Sequence, residues 1–217
     1  MHAIDTVLFD LDGTLLDTAP DMAHALNIVR QQHNLPSMNL DLIRPHVGLG
    51  SKKLLKLGFD VDENHREYTT LLEKFFAAYQ HCLARSTKLF PEMSAVLDHL
   101  EAKNIPWGIV TNKPARFTID LLEAIDLSRR SACIVCGDTV ANPKPHPDPI
   151  LYACEILKRK PLNTLYVGDA ATDVIASKAA GTRSLVALYG YINASEDPYE
   201  WQADGYIKTA GEIIHWV

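Results

Sequence analysis

The chain has 217 residues, 47% of them hydrophobic and 22% charged, with a formal net charge of −6. That length allows one large domain or a domain carrying an insertion, and the acidic balance argues against nucleic acid or an anionic membrane as the main partner. No apolar run approaches the ~18 residues of a membrane span, and the start, "MHAIDTVLFD", lacks a basic n-region and carries Asp5 where a leader would be apolar, so a cytoplasmic protein is expected.

The first element is an apolar run, "IDTVLF" (4–9), which reads as a buried strand and gives way abruptly to Asp10 and Asp12. Residues two apart on a strand point the same way, so two carboxylates meet at its end and repel unless a cation lies between them. From Asp17 to Ser86 no strand is evident. "DMAHALNIVRQQHN", "LDLIRPHV", "SKKLLKLG" and "YTTLLEKFFAAYQHCLA" carry apolar stripes at helical spacing. Beyond them strands are expected at 105–110, 132–136, 163–167 and 183–188, alternating with helices at 91–103, 114–125, 147–158 and 171–180. Near-continuous apolarity in the strands suggests burial on both faces, and the alternation predicts a parallel sheet of βαβ units. The expected architecture is therefore α/β, with residues 1–16 and 87–217 forming the sheet-bearing core and 17–86 an all-helical insertion. Cys133 and Cys136 form a C-x-x-C, but inside a strand-like run a spacing of three sends the sulfurs to opposite faces, and buried thiols are the simpler reading.

Four strands stop at polar residues: Asp10; Thr111 and Asn112; Gly137 and Asp138 ahead of "NPKPHPDP"; and Gly168 and Asp169. The carboxyl ends of parallel strands form the binding crevice, deepest where strand order reverses. If the fourth of these strands lies beside the first, opposite the second, then Asp10, Asp12 and Asp169 meet at that point. Asp173 joins them if "GDAATD" opens a helix. Oxygen ligands alone suit a hard cation, with Mg²⁺ the usual choice. Each Asp taken singly could equally be a helix cap or turn residue. Thr111, followed by peptide N–H groups at an incipient helix start, offers an anion site. Lys144 sits in a loop stiffened by four prolines. Metal, lysine, hydroxyl and amides together describe a phosphate clamp.

"DLDGTLLDT", "TN", "PKP" and "GDAATD", in this order, resemble the four motifs of the haloacid dehalogenase superfamily of phosphohydrolases, and the match spans the chain. The helical insertion is similar to that superfamily's C1 cap. Within it the chain resembles the phosphoglycolate phosphatase branch, and "KLF", "WGIVTNKPARF" and "ALYGYI" resemble the bacterial phosphatases acting on N-acetylmuramic acid 6-phosphate. The resemblance implies Asp10 as nucleophile and Asp12 as general acid and base. It implies Mg²⁺ held by Asp10, the backbone carbonyl of Asp12, Asp169 and Asp173, and phosphate held by Gly13, Thr111, Asn112 and Lys144. "HVGLGSKK" resembles the cap's specificity loop, with Gly48 and Gly50 mobile and Ser51, Lys52 and Lys53 facing substrate; it equally reads as a helix start capped by serine. Arg44, Lys52 and Lys53 are the expected charge partners of a substrate carboxylate, and Tyr189 and Tyr191 are rim residues that would stack on a sugar or simply pack. The implied partner is a small phosphorylated metabolite, for a monomer or homodimer. One departure from the pattern is Ala170, where many relatives carry Ser or Asp. A 2-phosphoglycolate phosphatase, a phosphomutase, a metal-free dehalogenase and a receiver-type phospho-aspartate module are the competing readings.

Overall fold

The computed structural model describes residues 3–217; Met1 and His2, the start of the stretch read as lacking a leader, lie outside the described residues. In chain order the elements begin with β1 (Thr6–Phe9), β2 (Leu16–Asp17), α1 (Ala19–Gln32), α2 (Leu40–Val47), α3 (Gly50–Phe59), α4 (Tyr68–Cys82) and β3 (Lys88–Leu89). They continue with α5 (Met93–Ala102), β4 (Trp107–Val110), α6 (Ala115–Ala124), β5 (Ile134–Val135), α7 (Asp148–Leu157), β6 (Thr164–Gly168), α8 (Ala171–Ala180), β7 (Arg183–Ala187) and β8 (Gly205–Ile207). A 3-10 segment, Ala210–Trp216, closes the chain.

Six strands form one sheet in the order β5-β4-β1-β6-β7-β8, every pairing parallel. β6 lies beside β1 and opposite β4, as the crevice argument requires. The apolar runs are explained by two covered faces. Val7, Phe9, Trp107, Ile109, Leu165 and Val167 pack against Met93, Leu97, Leu121, Leu122 and Ile213, from α5, α6 and the C-terminal segment. Leu8, Val110 and Tyr166 turn the other way, onto Ile150, Ala153 and Cys154 of α7 and Ala176 of α8. All four cysteines are buried free thiols.

Helices α1–α4 gather their own apolar cluster around Leu26, Val29, Ile43, Leu54, Leu71, Phe75 and Tyr79, and this cluster takes in Phe90, Phe117 and Tyr191 from the sheet-bearing part. Two features escape the sequence pattern. β2 and β3 pair antiparallel, Leu16 with Leu89 and Asp17 with Lys88, where chain enters and leaves the helices. Asp17 is thus a strand residue, contrary to the strand-free expectation for 17–86; two-residue strands carry no periodicity to detect. β8 likewise is only three residues long. Beside the ribbon, Asp21 accepts hydrogen bonds from Ser86 N (2.8 Å), Thr87 N (3.0 Å) and Thr87 Oγ1 (2.7 Å), which fastens α1 to the returning chain.

Candidate active site

The carboxyl ends of β1, β4 and β6 converge on one point. Asp10 follows β1, and its N–H still donates to Val167 O of β6 (2.8 Å). The chain then turns sharply through Gly13, whose φ of +90° is open to glycine but strained for other residues. A Cβ on Gly13 would stand 2.1 Å from Asp169 Oδ2, so this glycine makes room for an acid rather than lining the cavity. Asp169 follows β6 and is held at both oxygens: Thr14 Oγ1 donates to Oδ1 (3.2 Å) and Tyr191 N to Oδ2 (2.7 Å). Asp173 lies in the first turn of α8, where Oδ2 accepts the Ala170 N–H (3.1 Å).

Lys144 reaches into this group from the proline-rich loop. Its Nζ donates to Asp10 Oδ1 (2.8 Å), Asp173 Oδ1 (2.6 Å), Tyr166 Oη (2.7 Å) and Val110 O (3.0 Å), and the residue is 4% exposed. Asn112 fixes that loop: its Nδ2 donates to Lys144 O (2.8 Å), and its Oδ1 accepts from Lys144 N (3.0 Å). The Asn112 side chain is thereby committed to the loop, and only its backbone N–H is left for an anion. Thr111 Oγ1 accepts from Lys113 N (3.1 Å), which leaves its own hydroxyl proton free to be donated.

Oxygens of Asp10, Asp169 and Asp173 lie within 4.8 Å of one another. Burial pushes Asp10 up to about 6; Lys144 opposes this and Asp173 adds to it. Burial, then Asp10 and Asp173, hold Asp169 well above the usual carboxylate range, despite its two hydrogen-bond donors. Burial works against the charge on Lys144, but Asp10 and Asp173 outweigh it and its pKa ends above the ordinary lysine value. One ammonium therefore does not balance three crowded acids. This all-oxygen, charge-deficient cluster fits a hard divalent cation such as Mg²⁺.

Asp12 faces elsewhere. Its carboxylate accepts from Thr18 Oγ1 (2.6 Å) and from Lys113 Nζ (3.0 and 3.1 Å), and it is not among the clustered oxygens. The two acids of the first motif are thus separated in role: Asp10 joins the cluster and Asp12 overlooks the space beside it. That space is a cavity of about 240 Å³. Asp10, Asp12, Thr111, Asn112, Lys144 and Asp173 line one end. Met22, Phe75, Phe76, Tyr79 and Phe117, from α1, α4 and α6, supply its helical, mostly apolar side, and Gly48, Gly50 and Ser51 also line it.

Several expected recognition residues lie outside this cavity. Lys52 pairs with Glu63, and Arg44 Nη1 with Asp17 Oδ1 (2.7 Å). Neither lines the cavity, and nor does Lys53. Tyr191 is 4% exposed, donates from Oη to Asp17 Oδ1 (2.8 Å) and accepts from Ala19 N (2.9 Å); Tyr189 donates to Thr14 O (3.1 Å) and packs on Phe90. Both tyrosines are packing residues, not a sugar platform. The sequence reading missed Lys113 and Tyr79. Lys113 directly follows the Thr111–Asn112 strand end, and that position was its one available signal. Tyr79 falls on the apolar stripe of α4 and reads as core.

A family model described as haloacid dehalogenase-like hydrolase matches residues 7–187. Over 198 residues the chain is 38% identical to an N-acetylmuramic acid 6-phosphate phosphatase of Pseudomonas putida, covering 91% of this chain and 89% of that protein. Over 208 residues it is 40% identical to a phosphoglycolate phosphatase of Xanthomonas campestris, covering 95% and 93%. Among solved structures, one titled as a predicted phosphoglycolate phosphatase from Haemophilus somnus superposes with a TM-score of 0.87 at 26% identity, covering 99% of this chain and 98% of that one.

Proposed function

Because the chain belongs to the haloacid dehalogenase-like hydrolases and is a phosphatase, we propose that it hydrolyses N-acetylmuramic acid 6-phosphate through an aspartyl-phosphate, with Mg²⁺ as cofactor. Asp10 attacks phosphorus with the oxygen that Lys144 does not hold, and the P–O bond to the leaving group breaks as the Asp10–phosphate bond forms. Asp12 gives its proton to the departing alkoxide, then takes one from the water that cleaves the acyl phosphate and regenerates Asp10. Lys144, the Thr111 hydroxyl and the Asn112 N–H hold the phosphoryl oxygens while charge redistributes. Asp10, Asp169, Asp173 and the Asp12 carbonyl would hold the Mg²⁺, which when bound neutralises charge on the acids and the phosphoryl group. The separation of Asp10 from Asp12 supports this division: one acid joins the cluster, the other faces the leaving-group space with Lys113.

Residues 17–86 serve as a cap domain over the carboxyl ends of the central strands and supply, with Phe117 of α6, the apolar wall of the cavity; the protein works in the cytoplasm. The observation that carries the choice of substrate is that wall. Phe75, Phe76, Phe117 and Met22 offer an apolar, ring-sized surface beyond the phosphate end, more than a two-carbon leaving group would use. Relatives named N-acetylmuramic acid 6-phosphate phosphatase support it. The second reading, 2-phosphoglycolate, is favoured by the name of the 40%-identical relative. Steady-state kinetics with both substrates at equal Mg²⁺ separates them. Expected is a kcat/KM at least ~100-fold higher for the muramate ester, about 2.7 kcal/mol of discrimination and within reach of one or two polar contacts. A ratio near one, or one favouring phosphoglycolate, sinks the muramate assignment and leaves the phosphatase standing.

A further inference from the structure

The cavity carries two further polar groups, Tyr79 and Lys113, to which the proposed phosphate transfer gives no contact with the phosphoryl group. Tyr79 is 1% exposed, and its hydroxyl, beside the Lys113 ammonium, makes no hydrogen bond of normal geometry among the described residues. A phenol buried without an acceptor destabilises a fold, so its retention calls for a ligand. Burial pushes its pKa up to about 12, which makes it a neutral donor at pH 7. Lys113 Nζ lies 4.6 Å from the centroid of the Tyr79 ring, and the residue is 8% exposed. Both of its side-chain hydrogen bonds go to the Asp12 carboxylate, whereas an ammonium carries three N–H bonds. Lys113 and Lys144 are the cations lining the cavity, and Lys144 is committed to the acid cluster. Around Tyr79 and Lys113 stand Met22, Phe75, Phe76 and Phe117. A hydroxyl donor and a cation in an apolar setting are jointly satisfied by a small anion with two acceptor oxygens. A neutral hydroxyl or amide would serve the phenol but offer the lysine no charge.

We propose that Tyr79 and Lys113 recognise a carboxylate carried on the leaving group, and so select which phosphomonoesters the enzyme accepts. This rests on the phosphomonoesterase reading above. It moves the charge partner of the substrate from the helices, where Arg44 and Lys52 have acidic partners of their own, to the loop after β4.

Two substrate pairs test it, each an acid against a neutral counterpart: N-acetylmuramic acid 6-phosphate against N-acetylglucosamine 6-phosphate, and 2-phosphoglycolate against ethyl phosphate. The wild-type protein should favour the acid at least ~10-fold in kcat/KM in one pair. Tyr79→Phe should cut that preference about 3-fold, mainly through KM, and Lys113→Met should abolish it. Tyr79→Phe should also unfold at a temperature no lower than wild type, because it removes an unsatisfied polar atom. Acid and neutral substrates losing equally in Tyr79→Phe would overturn the proposal, as would a wild type without acid preference in either pair. A lowered unfolding temperature would overturn it too, since the hydroxyl would then have an internal partner. Acid preference confined to the two-carbon pair, and lost in both variants, supports carboxylate recognition while refuting the muramate assignment. Hydrolysis of none of the four esters overturns both.

Discussion

At the strand ends beside the cavity every charge has a partner: Asp10 and Asp173 in Lys144, Asp12 in Lys113, Asp169 in Thr14 and the Tyr191 N–H. At the helical end the surface is mostly apolar, and the buried Tyr79 hydroxyl makes no hydrogen bond of normal geometry among the described residues. The contrast separates two tasks. On the proposed mechanism, groups that meet the transition state are fixed in place before substrate arrives, on the rigid ends of parallel strands. On the proposed recognition of a carboxylate, the Tyr79 hydroxyl is left for the ligand to satisfy.

The largest effect expected on this contrast is at Asp10, the proposed nucleophile. Asp10→Asn replaces a carboxylate with a poorly nucleophilic amide and should lower kcat at least ~1,000-fold on every substrate, large or small. Activity within ~10-fold of wild type in a steady-state assay would break the picture of a committed sheet end. Next comes the charge balance of the acids. In the metal-free protein the folded-state pKa of Asp10, about 6, stands above the ordinary carboxylate value of 3.8. A group raised in this way contributes stability at low pH and loses it as pH rises through the folded value. In EDTA, thermal unfolding should therefore show stability declining between about pH 4 and pH 6, by on the order of 2 kcal/mol, with Mg²⁺ restoring it at pH 7. A flat profile would mean that the acids are balanced without a cation. The smallest effect belongs to the helical wall. Phe76, half-buried and 5.2 Å from Phe117 between ring centroids, faces the cavity. Phe76→Ala should cost about 10-fold in kcat/KM on the muramate ester and little on phosphoglycolate, measured side by side. Equal losses on both would mean that the wall shapes the reaction rather than the choice of substrate.

Legibility in the sequence follows the same division. Asp10, Thr111 and Asp169 stood out because a charged or hydroxylic residue at the end of an unbroken apolar strand has no packing reason to be there. Helices α1–α4 were legible as periodic stripes, to within a residue or two at several ends. Tyr79 was not, since a tyrosine among Leu71, Phe75 and Cys82 obeys helical periodicity whether its hydroxyl is satisfied or not. Arg44 and Lys52 read as free for the opposite reason: a cation beside glycines looks available until its partner, Asp17 or Glu63, is seen in three dimensions. Pairing between residues far apart in the chain is what a one-dimensional pattern omits, and it also hid the ribbon of β2 and β3.

That ribbon bears on how quickly the chain could find its fold. β1 must pair with β4 across almost the whole first half of the sequence, and bringing distant segments together costs entropy that grows with the logarithm of the intervening length. Leu16 pairs with Leu89, however, so the two ends of the helical stretch lie side by side. Once those helices have collapsed on their local contacts, the search between β1 and β4 spans two short connections instead of an open coil. The intervening residues become topologically silent: long in sequence and short in path.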